Sequence, residues 1–152
     1  MPRKLRALLA MAFFVGLPLG GLVFVWAYAH SNIEKSAEAV GKQMVLDSLK
    51  ASSSQTLTEI ATFNLRESPT VKDFPRTAGR MGTLKSIDSW KTTGSSVGER
   101  GDTVWQLVHF RGTATFERGR ASLVVDLGRR TINKEWLIDK IDLEDCQVSN
   151  TR

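Results

Sequence analysis

The chain has 152 residues and a formal net charge of +5, which leaves room for one domain and a short targeting segment. Its single cysteine, Cys146, excludes an internal disulfide framework. The imidazole and thiolate ligands, His30, His109 and Cys146, stand far apart, so no metal centre of that chemistry is expected. Arg3, Lys4 and Arg6 all precede the first acid, Glu34, so much of the positive charge is a topology signal and nucleic acid is not an expected partner.

Residues 1–6 read as a basic cytoplasmic tail. Residues 7–29, ALLAMAFFVGLPLGGLVFVWAYA, carry no charge. As a helix such a run crosses the roughly 30 Å hydrocarbon core of a bilayer. Pro18, Gly20 and Gly21 are tolerated in lipid, where an unpaired backbone costs more than a kink. Trp26 and Tyr28 sit at the outer end, where amphipathic rings prefer the interface. The basic residues stay inside, so the chain after His30 is expected outside the cytoplasm, in the periplasm if the source is a Gram-negative bacterium. Ala27-Tyr28-Ala29 also fits a signal-peptidase site. The length of the run favours a retained anchor, and both readings export the domain.

The exported domain is expected over residues 30–143. Ser31 to Glu34 forms a capping box. It opens a helical stripe of Ile33, Ala37, Val40 and Met44, with Gly41 as a soft spot. Ser52, Ser53 and Ser54 break the helix, and they lack the G-x-S-x-G elbow of a nucleophilic serine. Leu57, Ile60 and Ala61 mark a second, shorter helix. Residues 64–82 contain Pro69, Pro75, Gly79 and Gly82, so the expectation is a loop with one helical turn near residues 71–78.

Beyond Gly82 the period becomes two. A first strand is expected over 83–92, then a loose hairpin loop over 94–102 with Gly94, Gly98 and Gly101. The second strand covers 103–117, with Val104, Val108, Phe110, Ala114 and Phe116 on one parity. Gly119 marks a turn, and Ala121, Leu123, Val125 and Leu127 alternate on a third strand. Residues 129–134 turn again, and 136–143 form the fourth strand. Its apolar residues Trp136, Ile138, Ile141 and Leu143 switch parity, which a β-bulge near Asp139-Lys140 reconciles. Residues 144–152 read as a polar, frayed tail. Helices followed by an antiparallel meander make an α+β domain, with the long helix covering the apolar face of the sheet.

This order, with the last strand reading Trp136-Leu137-Ile138-Asp139-Lys140-Ile141-Asp142-Leu143 and Arg80 to Ser86 leading into the first, resembles the NTF2-like/cystatin-like superfamily and its small exported bacterial domains of unknown function. The resemblance covers roughly residues 31–143. It implies a helix packed on a curved antiparallel sheet of about four strands that sometimes encloses a pocket. The superfamily hosts enzymes, binding modules and assembly subunits, so the resemblance transfers no function.

The residues carry no catalytic set. A pocket enzyme needs a base carboxylate and an oxyanion donor. Asp88 and Asp126 lie on strands, where acids ordinarily face solvent, and Tyr28, the one tyrosine, falls in the apolar run. His109 has the parity opposite to Val108 and Phe110, so it should point away from the core, with no partner named by the sequence. Cys146 has no neighbour that would activate it. Trp90 and Trp105 are placed to pair across the first two strands. Arg111, Arg118, Arg120, Arg129 and Arg130 gather near hairpin ends and form a candidate patch for an anionic partner, although turn arginines are more often simply solvated. The expectation is a non-enzymatic, membrane-anchored exported domain that binds a protein or assembles an envelope complex, without cofactor. The alternatives are a small-ligand or lipid-headgroup binder and a pocket enzyme of the NTF2-like type.

Overall fold

The computed structural model describes residues 28–50, 54–132 and 135–148. The expected membrane segment, 7–29, lies outside the described residues except for its last two positions, as do Ser52, Ser53 and the basic tail. Among the described residues, no helix is long and apolar enough to cross a membrane. Residues 1–33 and 34–152 are separate compact units.

Helix α1 occupies residues 28–50. It is under way before Ser31, so Ser31 to Glu34 does not start it. Glu34 instead accepts a hydrogen bond from Ser95 Oγ at 2.8 Å. The buried stripe of α1 is Ala37, Gly41, Val45, Ser48 and Leu49, while Val40 is exposed and Met44 only half-buried. The stripe thus shares Ala37 with the expected one, leaves Ile33 only half-buried, and runs along a neighbouring face. The reason is Gly41, where a Cβ would come within 2.5 Å of Leu127 Cδ1 and 3.5 Å of the Trp90 ring. The residue read as a soft spot is one where the helix lies tight against the sheet. Ser48 tolerates burial because its hydroxyl donates to the Met44 carbonyl.

Helices α2 (Ser54–Glu59), α3 (Phe63–Arg66) and α4 (Thr70–Met81) follow. α4 replaces the expected loop. Val71, Phe74, Ala78 and Met81 repeat at helical steps and are all buried. That apolar face outweighs Pro75, which lies inside the helix and cannot supply an N–H to the Val71 carbonyl.

The strands are β1 (Leu84–Arg100), β2 (Thr103–Phe116), β3 (Gly119–Arg130) and β4 (Leu137–Val148), in the order β1-β2-β3-β4, all antiparallel. The domain is α+β. The expected hairpin loop over 94–102 shrinks to a turn at Gly101-Asp102, because residues 94–100 pair with residues 103–109. The expected tail likewise begins as strand: residues up to Val148 pair with β3, and the bulge at Asp145, whose φ is +50°, bends its end.

The two faces of the sheet differ. Val108, Phe110, Ala114 and Phe116 of β2 stand beside Leu127, Val125, Ala121 and Gly119 of β3 on the inner face. Their side chains are buried, as are those of Ile138, Ile141 and Leu143 from β4 and Leu57, Leu65 and Phe74 from the helices. The parity switch in β4 resolves as expected. Leu127 pairs with Ile138 and Asp126 with Lys140, so Asp139 is the extra residue of a bulge. Trp136, Ile138, Ile141 and Leu143 are consequently all buried. Trp90 stacks on Phe110 on the inner face, with ring centroids 4.8 Å apart. Trp105 lies on the opposite face beside Gly98 and Arg130, so the two tryptophans do not pair. Extra residues in β1 at Lys85, Ser89-Trp90 and Thr93 shift its parity along its length.

Candidate functional site

The outer face of the sheet carries two rows of interacting side chains, each assembled from residues far apart in sequence. In the first row His109 and Asp126 stand directly opposite each other on β2 and β3. His109 Nδ1 lies 2.8 Å from Asp126 Oδ1. An ionised carboxylate only accepts, so this contact places the proton on Nδ1. The other nitrogen, Nε2, then faces Ser96 Oγ of β1 at 3.4 Å. His109 points away from the core, as its parity predicts, and it has the partner that the sequence did not name.

The second row is Arg100 on β1, Trp105 on β2, Gly128 on β3 and Asp139 on β4. Gly128 makes the row possible. A Cβ there would lie 3.1 Å from Leu107 and 3.3 Å from the Trp105 ring, so a bare backbone lets the indole lie across β3. Arg100 passes over Trp105, 5.7 Å from its centroid, and grips Asp139 with both terminal nitrogens at 2.7 and 2.8 Å. Arg130 lies over the same ring at 5.5 Å.

Asp139 is held from the other side by Thr62, whose hydroxyl donates to Oδ1 at 2.8 Å. Thr62 is buried and caps α3, accepting from the Leu65 amide. The backbone around it extends the edge of β4: the Thr62 amide donates to the Ile138 carbonyl and the Ile138 amide to the Ile60 carbonyl, both at 2.8 Å. Burial by itself would push the Asp139 carboxyl up. The hydrogen bonds from Arg100 and Thr62, with the positive charge of Arg100 and then of His109, outweigh burial and hold it below the usual carboxylate range. The same hydrogen bond raises the Arg100 guanidinium.

Ser96, His109 and Asp126 have the order of a hydroxyl–imidazole–carboxylate relay. Acyl transfer also needs donors converging on an oxyanion and a site that excludes water. Ser96 is exposed on a strand. Among the described residues, clefts lie beside Arg120, between α4 and β4, and at Trp105. The last, of about 220 Å³, is bounded by Phe63, Arg66, Trp105, Arg130, Glu135 and Leu137. The relay orients an imidazole and ties three strands together.

The five arginines of the candidate patch do not converge. Arg118 and Arg120 sit at the β2–β3 turn, and Arg129 and Arg130 at the opposite end of β3, with Arg111 midway along β2. Arg129 is on the inner-face rim, donating to Gln106 at 2.7 Å and lying 4.5 Å from the Trp136 centroid. Burial pushes its guanidinium down. Only Arg130 joins the outer-face cluster. Asp88 is exposed, accepting from Ser86 and Thr115, so neither it nor Asp126 points inward. Partial burial, then Asp142 and Asp145, push the Cys146 thiol up, away from the reactive thiolate. Among the described residues, no group of histidine, cysteine and acidic side chains could hold a metal ion.

Arg100, Asp139 and Thr62 were not singled out by sequence reading. Arg100 fell in an expected loop. The signal for Asp139 was the parity switch, which marked the bulge but not the contacts of the residue it frees. No family model, curated protein or solved structure matches the chain.

Proposed function

We propose that the chain is a membrane-anchored, exported and non-enzymatic domain of the NTF2-like/cystatin-like kind that binds a protein partner through the outer face of its sheet. The observation that carries this reading is Trp105, held between Arg100 and Arg130 beside a cleft walled by Phe63 and Leu137. Tryptophan and arginine anchors beside an apolar cleft are the composition of protein-binding hot spots. Arg100, Asp139 and Thr62 fix the indole in advance, so little order has to be gained on binding.

The anchor rests on the uncharged run 7–29 and the basic residues before it. The alternatives, a small-ligand binder and a pocket enzyme, need room and a polar group on the inner face. Val108, Phe110, Leu123, Leu127 and Ile138 fill that face without exposure, and Asp88 and Asp126 stand on the other one.

The test uses the chain in its native membranes. Extracted in mild detergent, it is expected to migrate in an assembly larger than itself. Arg130→Glu, on an exposed side chain, is expected to release it, with a loss of about 2 kcal/mol or more at a hot spot. A wild-type chain that runs at its own mass overturns the reading. A reporter active only outside the cytoplasm, fused after Arg152, tests export, and a stable but silent fusion overturns that part.

A further inference from the structure

The structure points to a second contact, with the bilayer itself. We infer that the end of the domain carrying the β1–β2 turn and the β3–β4 connection rests on the membrane surface through Val104, Ile132 and Phe63. This inference rests on the anchored reading above.

The chain enters the compact unit at this end. Glu34, its first residue, is hydrogen-bonded to Ser95, and Ser36 accepts from the Trp136 indole at 3.3 Å. Ser95 lies two residues before Val97, and Trp136 just precedes β4. Further along α1, Gly41 lies against Leu127, in the row of Ser95 and Val108, and against Trp90, whose ring stacks on Phe110, two residues farther from the β1–β2 turn. The apolar run ends at Ala29, five residues before Glu34. Five residues of fully extended chain reach roughly 18 Å at most. Whatever path they take, this end of the domain is tethered close to the end of the run.

This end also carries apolar side chains in the open. Ile132 is 87 % exposed, Phe63 74 %, Val97 56 % and Val104 39 %. A single exposed aliphatic residue is unremarkable; several at one end of a small domain are a contact surface. They share their surroundings: Thr131 donates to the Val104 carbonyl, Val97 pairs opposite Gln106, and Phe63 lies in the cleft with Arg130 and Leu137. The opposite end, at the β2–β3 turn, has Glu117, Arg118 and Arg120 exposed instead, with Val148 as its exposed aliphatic residue.

Charge decides which membrane surface fits. Arg66, Arg129 and Arg130 stand at this end with Glu99, Asp102 and Glu135, and Asp139 neutralises Arg100. Among the described residues, this surface lacks the cationic excess that an anionic leaflet selects. The contact is therefore apolar, made at the interface of a zwitterionic bilayer, and insensitive to salt. It leaves Trp105 and Arg100 on the outer face to a partner, with Phe63 at the boundary between the two surfaces.

The full chain in phosphatidylcholine vesicles tests this. On a Cys146→Ser background, nitroxide labels are placed at Ile132→Cys and, as a reference, Val148→Cys. Flotation with the vesicles reports the anchor; collisions with oxygen and with a water-soluble nickel chelate report depth. The label at 132 is expected to meet oxygen more and the chelate less than the label at 148, at low and high salt alike. Equal chelate access at both positions in a chain that floats overturns the bilayer contact and leaves the anchor standing. A gradient that vanishes in high salt overturns its apolar character. A chain that does not float overturns the anchor and the contact together.

Discussion

Thr62 and Asp139, separated by 77 residues, share a hydrogen bond of 2.8 Å that joins the cap of α3 to the bulge of β4. Arg100 completes the grip from β1. The carboxylate thus links the two edges of the sheet and the helical segment. Its pKa is held below the ordinary range in the folded chain. Stability from this group is complete above the unfolded value of about 3.9 and is lost as pH falls through the folded value. Asp139→Asn should therefore flatten the acid limb of the stability–pH curve. At neutral pH it should cost about 1–3 kcal/mol, because Arg100 loses its counter-charge. Thr62→Ala should cost about 1 kcal/mol through the lost cap and keep most of the acid limb. Urea titrations of the full chain in detergent at several pH values separate the two.

Two helical glycines should respond to alanine with opposite sign. At Gly41 the new methyl group would meet buried Leu127 at 2.5 Å, while at Gly79 in α4 nothing lies within 4 Å. Gly79→Ala should stabilise by about 0.5–1 kcal/mol, the usual gain in helix propensity. Gly41→Ala has the same gain, but overpacking costs about 1–3 kcal/mol and decides the sign. The midpoint of unfolding should rise for the first variant and fall for the second. A rise for both would mean that α1 and β3 can move apart without cost.

The face of α1 shows where sequence reading stops. Hydrophobic period alone identifies the helix, but of the stripe Ile33, Ala37, Val40 and Met44 only Ala37 is buried. It cannot weigh a glycine, which adds nothing to an apolar stripe but permits the closest approach. With Gly41 against the sheet, Val45 becomes buried and Val40 turns outward. Val45→Ala should accordingly destabilise by about 1 kcal/mol or more, and Val40→Ala by less than about 0.5 kcal/mol. The β2 and β3 strands were legible because one face of each is apolar. Residues 94–100 were not, since Gly94, Ser95, Ser96 and Gly98 have low strand propensity and owe their extended form to pairing with β2. The candidate site was least legible. Its members come from four strands and a helix cap, and their meeting depends on register and on three irregularities of β1 that leave no periodic mark.

The bulge at Asp139 predicts an order among deletions. Asp126 pairs with Lys140 and Leu127 with Ile138, leaving Asp139 as the residue without an opposite. Deleting Asp139 should restore a regular ladder, with Ile138 and Ile141 still inward and Lys140 still facing Asp126. The loss is then the contact with Arg100 and Thr62, about 1–3 kcal/mol. Deleting Lys140 also gives a regular ladder, but it brings Asp139 opposite Asp126. Two carboxylates directly across from each other repel, by about 0.2–1 kcal/mol, in addition to the same lost grip. Deleting Val124 is different in kind. It sits in the regular part of β3, paired on both sides with Arg111 and Asp142. Its loss turns either Ala121 and Leu123 or Val125 and Leu127 out of the core, and all four are buried. Urea titrations should rank the wild type first, then the Asp139 deletion, then the Lys140 deletion, with the Val124 deletion unfolded and Val124→Ala folded. If the Asp139 deletion failed to fold while Asp139→Asn folded, the bulge would be needed for the shape of the strand. Its role would then extend beyond holding one carboxylate where Arg100 and Thr62 can reach it.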